Sequence, residues 1–168
     1  MKRFPLLFLF VFFGFAPAAF SQALSAGIGA DFLRYRDAFL DVRTQYIHHL
    51  NPDVEIFVGA SFAITTRKDD DGSTRADFLI PADLGVNFLF PLGETFAWYF
   101  GIGATAQTLL PHTETKRFFM GPFANLGIRV GIHTYMEWYL EARQDLLFGK
   151  PDWINTSTRL STGIVFPL

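Results

Sequence analysis

Apolar and polar residues alternate along most of this chain. Between Thr95 and Leu110 the even positions Phe96, Trp98, Phe100, Ile102, Ala104, Ala106, Thr108 and Leu110 are apolar or small. The odd positions Thr95, Tyr99, Gly101, Gly103, Thr105 and Gln107 are mostly small or polar, and the stretch carries no charge. A period of two means a β-strand, because successive side chains point to opposite faces. The same ladder recurs over 24–33, 39–47, 54–65, 78–90, 118–130, 136–146 and 157–168. Eight strands of similar length follow. Pro122 cannot donate to a ladder, so a bulge is expected there. Residues 35–50 also carry Tyr35, Phe39, Val42, Tyr46 and Leu50 at helical spacing, which leaves a surface helix as the rival of the second strand.

Between these strands short connections (HHLNPD, PLGE and the turn at His133) mostly alternate with more polar ones (RKDDDGSTR, PHTETK, FGKPDWIN). Eleven charged residues fall inside the strands, and Asp77 just ahead of one: Asp31, Asp41, Arg43, Glu55, Asp77, Asp83, Arg129, Glu137, Glu141, Arg143, Asp145 and Arg159. All are odd. A soluble strand hides its apolar face in a core, whereas a transmembrane barrel strand shows that face to lipid and turns the polar one inward. A Lys or Arg on the lipid face costs about 2–4 kcal/mol at the midplane, which accounts for the exclusion of charge from the even face. An eight-stranded barrel has an interior only wide enough for side chains. The expectation is a plugged lumen in which Arg43, Arg129, Arg143 and Arg159 pair with carboxylates, with eight inward acids leaving some unpaired.

Composition narrows the picture. The chain has 168 residues, a formal charge of -2, no cysteine, and 50% apolar residues including 21 phenylalanines. That is a single domain. The near-neutral balance gives no electrostatic case for nucleic acid. Without cysteine there is no disulfide, thiolate metal site or acylated N-terminal cysteine. Lys2 and Arg3, the apolar run Phe4–Ala16, and small residues around Ser21 and Ala23 read as a signal peptide over 1–23, followed by the barrel over 24–168. The alternative is an uncleaved anchor, although the run is short for a spanning helix.

The signal peptide, the alternating strands and the ending Leu160-x-Thr162-x-Ile164-x-Phe166-x-Leu168 resemble the small eight-stranded outer-membrane barrels of the OmpA-transmembrane-domain and OmpX-like superfamily. The family usually ends in Phe, where this chain has Leu168 preceded by Pro167. The resemblance implies an all-β, eight-stranded antiparallel up-and-down barrel in the outer membrane. Its partners would be outer-membrane lipid and the barrel-assembly machinery, which reads the terminal strand. It would be a monomer that presents loops to a surface ligand.

Candidate sites follow from this frame. The inward charges Asp41, Arg43, Glu55, Asp77, Asp83, Arg129, Glu137, Glu141, Arg143 and Arg159 form a lumen network. Trp98, Tyr99, Trp138 and Trp153 read as interface aromatics. His112 beside Glu114, and Ser73, are the residues a lipid-modifying enzyme could use, but no catalytic motif surrounds them. His48, His49 and His133 fall at the short-turn end, where a metal is conceivable. Asp69-Asp70-Asp71-Gly72 matches half a calcium loop without its closing Glu. No catalytic residue, cofactor or metal site is assigned. The leading reading is a structural or surface-contact barrel. The rivals are a narrow ion or solute channel, a lipid-modifying enzyme, and a soluble barrel carrying a ligand.

Overall fold

The computed structural model describes residues 22–68, 74–112, 115–150 and 152–168. They form eight strands: β1 (Gln22–Leu33), β2 (Asp37–Asn51), β3 (Val54–Lys68), β4 (Thr74–Pro91), β5 (Phe96–Leu110), β6 (Arg117–His133), β7 (Met136–Phe148) and β8 (Ile154–Pro167). Each pairs antiparallel with its sequence neighbour, and β1 pairs with β8 to close the barrel. The segment that could have been a helix is strand β2. Its residues Leu40–His49 pair continuously with Glu55–Ile64 of β3, and Ala38–His48 pair with β1. Two full ladders outweigh the helical spacing of its aromatics.

The connections after β1, β3, β5 and β7 lie at one end, called here the loop end. Those after β2, β4 and β6 lie with the start of β1 and the end of β8 at the turn end. Turn geometry is locally encoded. The Asn51 side chain accepts a hydrogen bond from the Asp53 backbone N–H at 2.9 Å, an Asx turn that starts β3. Gly93 supplies the positive φ of 101° that the β4–β5 turn requires. The β1–β2 turn is unusual. Arg34 and Tyr35 both have φ of 56°, and Arg36 N–H bonds Leu33 C=O at 3.2 Å. Two left-handed residues match the twist of a tight hairpin, a role normally given to Asn-Gly.

The expected bulge at Pro122 is absent. The β5–β6 register runs unbroken through Ala104–Pro122, and the β6–β7 register is the same on both sides of it. The missing N–H interrupts pairing with β7 instead of inserting a residue. Pro81 sits at a similar interruption between β3 and β4. The register shifts occur beside turns, at His49/Asn51 and Gly131/His133, the rim positions that bulges favour.

Side-chain direction follows parity throughout. Odd residues point into the lumen and even residues point out, so Leu40, Leu84 and Leu126 are 63%, 61% and 54% exposed. Near the loop end β1 to β7 each contribute one apolar side chain to a layer across the lumen: Leu33, Phe39, Ala63, Leu79, Leu109, Phe119 and Leu147. A second apolar group, Ala23, Ile47, Phe57, Phe123, Tyr139 and Val165, packs toward the turn end.

Candidate functional site

The polar residues between and around these apolar groups form one connected lumen network. Its loop-side half centres on Asp83 of β4. Arg143 Nη2 donates to Asp83 Oδ1 at 2.9 Å and Arg159 Nη1 to Oδ2 at 3.4 Å, while Thr105 Oγ1 donates to Oδ1 at 2.8 Å. Arg143 Nε also bonds Asp145 Oδ1 at 2.6 Å, and its guanidinium lies 3.6 Å from the centre of the Phe123 ring. Gln107 Nε2 donates to the other Asp145 oxygen at 2.8 Å. Arg159 holds Asp31 through Nε and Nη2 at 3.2 and 3.0 Å, and Ser157 Oγ donates to the remaining Asp31 oxygen.

Arg43 links this half to the turn-side half. Its Nη2 lies 3.8 Å from Asp83, and its Nη1 donates to Glu141 Oε1 at 2.5 Å. The other Glu141 oxygen accepts from Tyr99 OH at 3.1 Å and Asn125 Nδ2 at 2.7 Å. Asn125 donates to Asn87 at 3.2 Å, and Asn87 donates to Glu55 Oε1 at 2.8 Å. Arg129 takes Glu55 with both terminal nitrogens, one at 2.8 Å, and its guanidinium faces the Tyr99 ring at 5.1 Å. The amide bridge needs space on the strand between its two partners. A Cβ at Gly101 would collide with the oxygens of both Asn87 and Asn125. Gly127 does the same for the Tyr99 ring.

The structure therefore brings together Arg43, Glu55, Asp83, Arg129, Glu141, Arg143 and Arg159, and adds Asp31 and Asp145. Three expected members stand at its edges. Asp41 is buried, but neither oxygen accepts a hydrogen bond from the described residues, and its nearest cation is Arg159 Nε at 3.9 Å. Glu137 lies 4.0 Å from Arg129 with its side chain partly exposed at the turn-end mouth. Asp77 sits apart at the loop end, where it accepts the His112 backbone N–H at 2.9 Å. The neutral donors Thr105, Gln107, Asn87 and Asn125 were not singled out from sequence. Their odd parity was visible, but their partners come from other strands.

The aromatics divide. Trp98 points outward and stacks on Phe90 at 4.2 Å, Trp138 is half-buried on the outer wall, and Trp153 is exposed in the β7–β8 connection. Tyr99 is not an interface residue. Its odd parity turns it into the lumen, where it is 2% exposed and bonded to Glu141. Among the turn-end histidines, His49 Nδ1 lies 3.6 Å from Glu55, and the His133 ring packs on Tyr135 at 5.5 Å. Among the described residues no three His, Asp or Glu side chains group as metal ligands. Ser73, Glu114 and Asp69–Gly72 lie outside the described residues.

No family model matches the chain, and no curated protein matches it in sequence. Solved structures do resemble it. Neisserial surface protein A (NspA) superposes with a TM-score of 0.69 at 12% identity, over 89% of this chain and 97% of that one. Ail, the attachment invasion locus protein of Yersinia pestis, in complex with the heparin analogue sucrose octasulfate, gives 0.54 at 12% identity, over 88% and 97%. The outer membrane protein OprG from Pseudomonas aeruginosa gives 0.54 at 11% identity, over 88% and 96%. The chain shares the fold of these small eight-stranded barrels.

Proposed function

We propose that this chain is an integral outer-membrane barrel of a Gram-negative-type cell, exported by a signal peptide over residues 1–23. In this reading the lumen is closed by its own side chains, and the role is structural or one of surface contact through the loop-end connections. The observation that carries it is the two-faced wall. Charged side chains such as Asp83, Arg43 and Arg159 are buried inside, while Leu, Ile and Phe are exposed outside. A protein in water would hide the second set, and so continuous an apolar face in a soluble monomer is an aggregation hazard. In hydrocarbon the same arrangement is favourable.

The closed lumen is supported by the seven-residue apolar layer near the loop end and by the ion pairs that fill the space beneath it. Surface contact is favoured by two of the similar structures, named as a surface protein and an attachment protein. Partners in this reading are outer-membrane lipid and the barrel-assembly machinery acting on β8, with a monomer as the working unit. We assign no enzymatic activity.

The test is planar-bilayer recording of the barrel purified from membranes. No steady conductance is expected. Steady cation-selective steps would replace this reading with the narrow channel, which the excess of inward acids over arginines would then explain. A mass shift in lipid A on expression would replace it with a lipid-modifying enzyme.

A further inference from the structure

The buried charges of the lumen do not balance. Among the described residues, six buried carboxylates share the interior with four buried guanidiniums. Net charge enclosed in a medium of low dielectric is costly unless an opposite charge sits beside it. Five of the six acids accept from an arginine and from a neutral donor as well. Asp41 is the exception. It is 0% exposed, yet neither of its oxygens accepts a hydrogen bond from a described residue. Arg159 Nε comes to 3.9 Å, but that N–H already donates to Asp31.

The fold sets Asp41 where other unpartnered oxygens gather. It stands on β2 two residues from Phe39, directly beneath the apolar layer. Ser61 of β3, two residues from Ala63 of that layer, places its hydroxyl beside Asp41 without closing a hydrogen bond. On the other flank Asp41 faces Gly29 across the β1–β2 ladder, and Gly29 faces Ser161 across the β1–β8 ladder. Gly29 puts no side chain between them, and a Cβ there would collide with the Leu160 carbonyl and with Ser161. Ser61 and Ser161 are 6% and 3% exposed, and both hydroxyls lack a partner among the described residues. Buried polar atoms of this kind normally have one.

We propose that Asp41, Ser61 and Ser161 bind one small monovalent cation such as sodium inside the lumen. An ionised carboxylate and the lone pairs of hydroxyls are oxygen donors of the kind that hold hard cations. The surroundings set the charge of the occupant. One free carboxylate, with no three acids or histidines grouped as ligands among the described residues, is too few for calcium, which takes several acidic oxygens. Arg159 and Arg43 stand close by and repel a second positive charge. The ion offsets part of the excess negative charge and ties β2 and β3 to β8 across the glycine of β1. The site goes beyond the membrane reading and does not depend on it, because it stands inside the barrel wall.

The experiment is urea unfolding of the barrel purified from membranes, in sodium chloride or in choline chloride of the same concentration, so that ionic strength is matched. Unfolding opens the lumen, so slow entry of the ion does not hide its binding. At about ten times its dissociation constant, sodium should lower the unfolding constant about tenfold. Asp41→Asn keeps the shape and removes the charge, and it should unfold alike in the two salts. S61A/S161A should lose most of the sodium effect and decides the matter if D41N does not fold. D77N, away from the site at the loop end, should keep all of it. A crystal soaked in a thallium(I) salt should show an anomalous peak beside Asp41 in the wild type and none in D41N. Equal unfolding in the two salts overturns the proposal, as does a sodium effect that survives in both D41N and S61A/S161A. A barrel indifferent to sodium but stabilised by acid, with D41N abolishing that response, overturns it in favour of a proton on Asp41.

Discussion

The apolar layer near the loop end and the ion-paired tiers beneath it fill the same lumen by opposite chemistry. The layer takes one side chain from each of seven strands and asks only for volume: Leu33, Phe39, Ala63, Leu79, Leu109, Phe119 and Leu147 make no polar demand on each other. The tiers ask for particular partners. Asp83 receives Arg143, Arg159 and Thr105, and Glu141 receives Arg43, Tyr99 and Asn125. Apolar cores accept substitutions that keep volume, whereas removing one member of a buried pair strands the other. The layer is therefore the tolerant part of the lumen and the tiers are the specific part.

That contrast can be broken by mutation, read as urea unfolding of the barrel in detergent. Asp83→Leu should cost the most, about 3–5 kcal/mol, because Arg143 and Arg159 both lose a buried carboxylate. A loss under about 1 kcal/mol would mean the tiers are not specific. Leu147→Ala should cost about 3 kcal/mol through the cavity it leaves in the layer. The bilayer should still record no steady current, since the tiers lie beneath. Leu79→Met keeps volume and should cost less than about 1.5 kcal/mol. Tyr35→Phe tests the rim and should cost about 1 kcal/mol, because the Tyr35 hydroxyl donates to Gln144 and accepts from Thr158, both at 3.2 Å.

Much of this architecture was legible in the residues. Strand count, strand order and the inward parity of the charges from Asp31 to Arg159 that line the lumen follow from a period of two that a barrel wall enforces along its length, and the exposed, even-numbered Lys68 stands only at the loop-end tip of β3. What local pattern could not supply was cross-strand partnership. The stretch 95–110 reads as an uncharged and chemically quiet stave, yet Tyr99, Thr105 and Gln107 donate to Glu141, Asp83 and Asp145. Asp83 faces Thr105 directly across the β4–β5 ladder, whereas Glu141 and Asp145 sit on β7, two strands away, and the curl of the barrel brings them within reach. Tyr99 shows a second limit. A Trp-Tyr pair at a strand end looks like an interface girdle, but adjacent residues in a strand face opposite ways, so only Trp98 can serve there. Pro122 shows a third. Loss of an N–H can break a ladder without shifting it, and sequence does not distinguish the two outcomes.

The central claim is that the even face meets hydrocarbon and the odd face fills a closed barrel. Gel mobility in detergent with and without boiling, done on fractionated membranes, tests it most directly. The account predicts that the chain stays with the membrane until detergent releases it, and that the unboiled sample migrates as a compact species distinct from the boiled one. Recovery in the soluble fraction without detergent, with a single mobility before and after boiling, would contradict it.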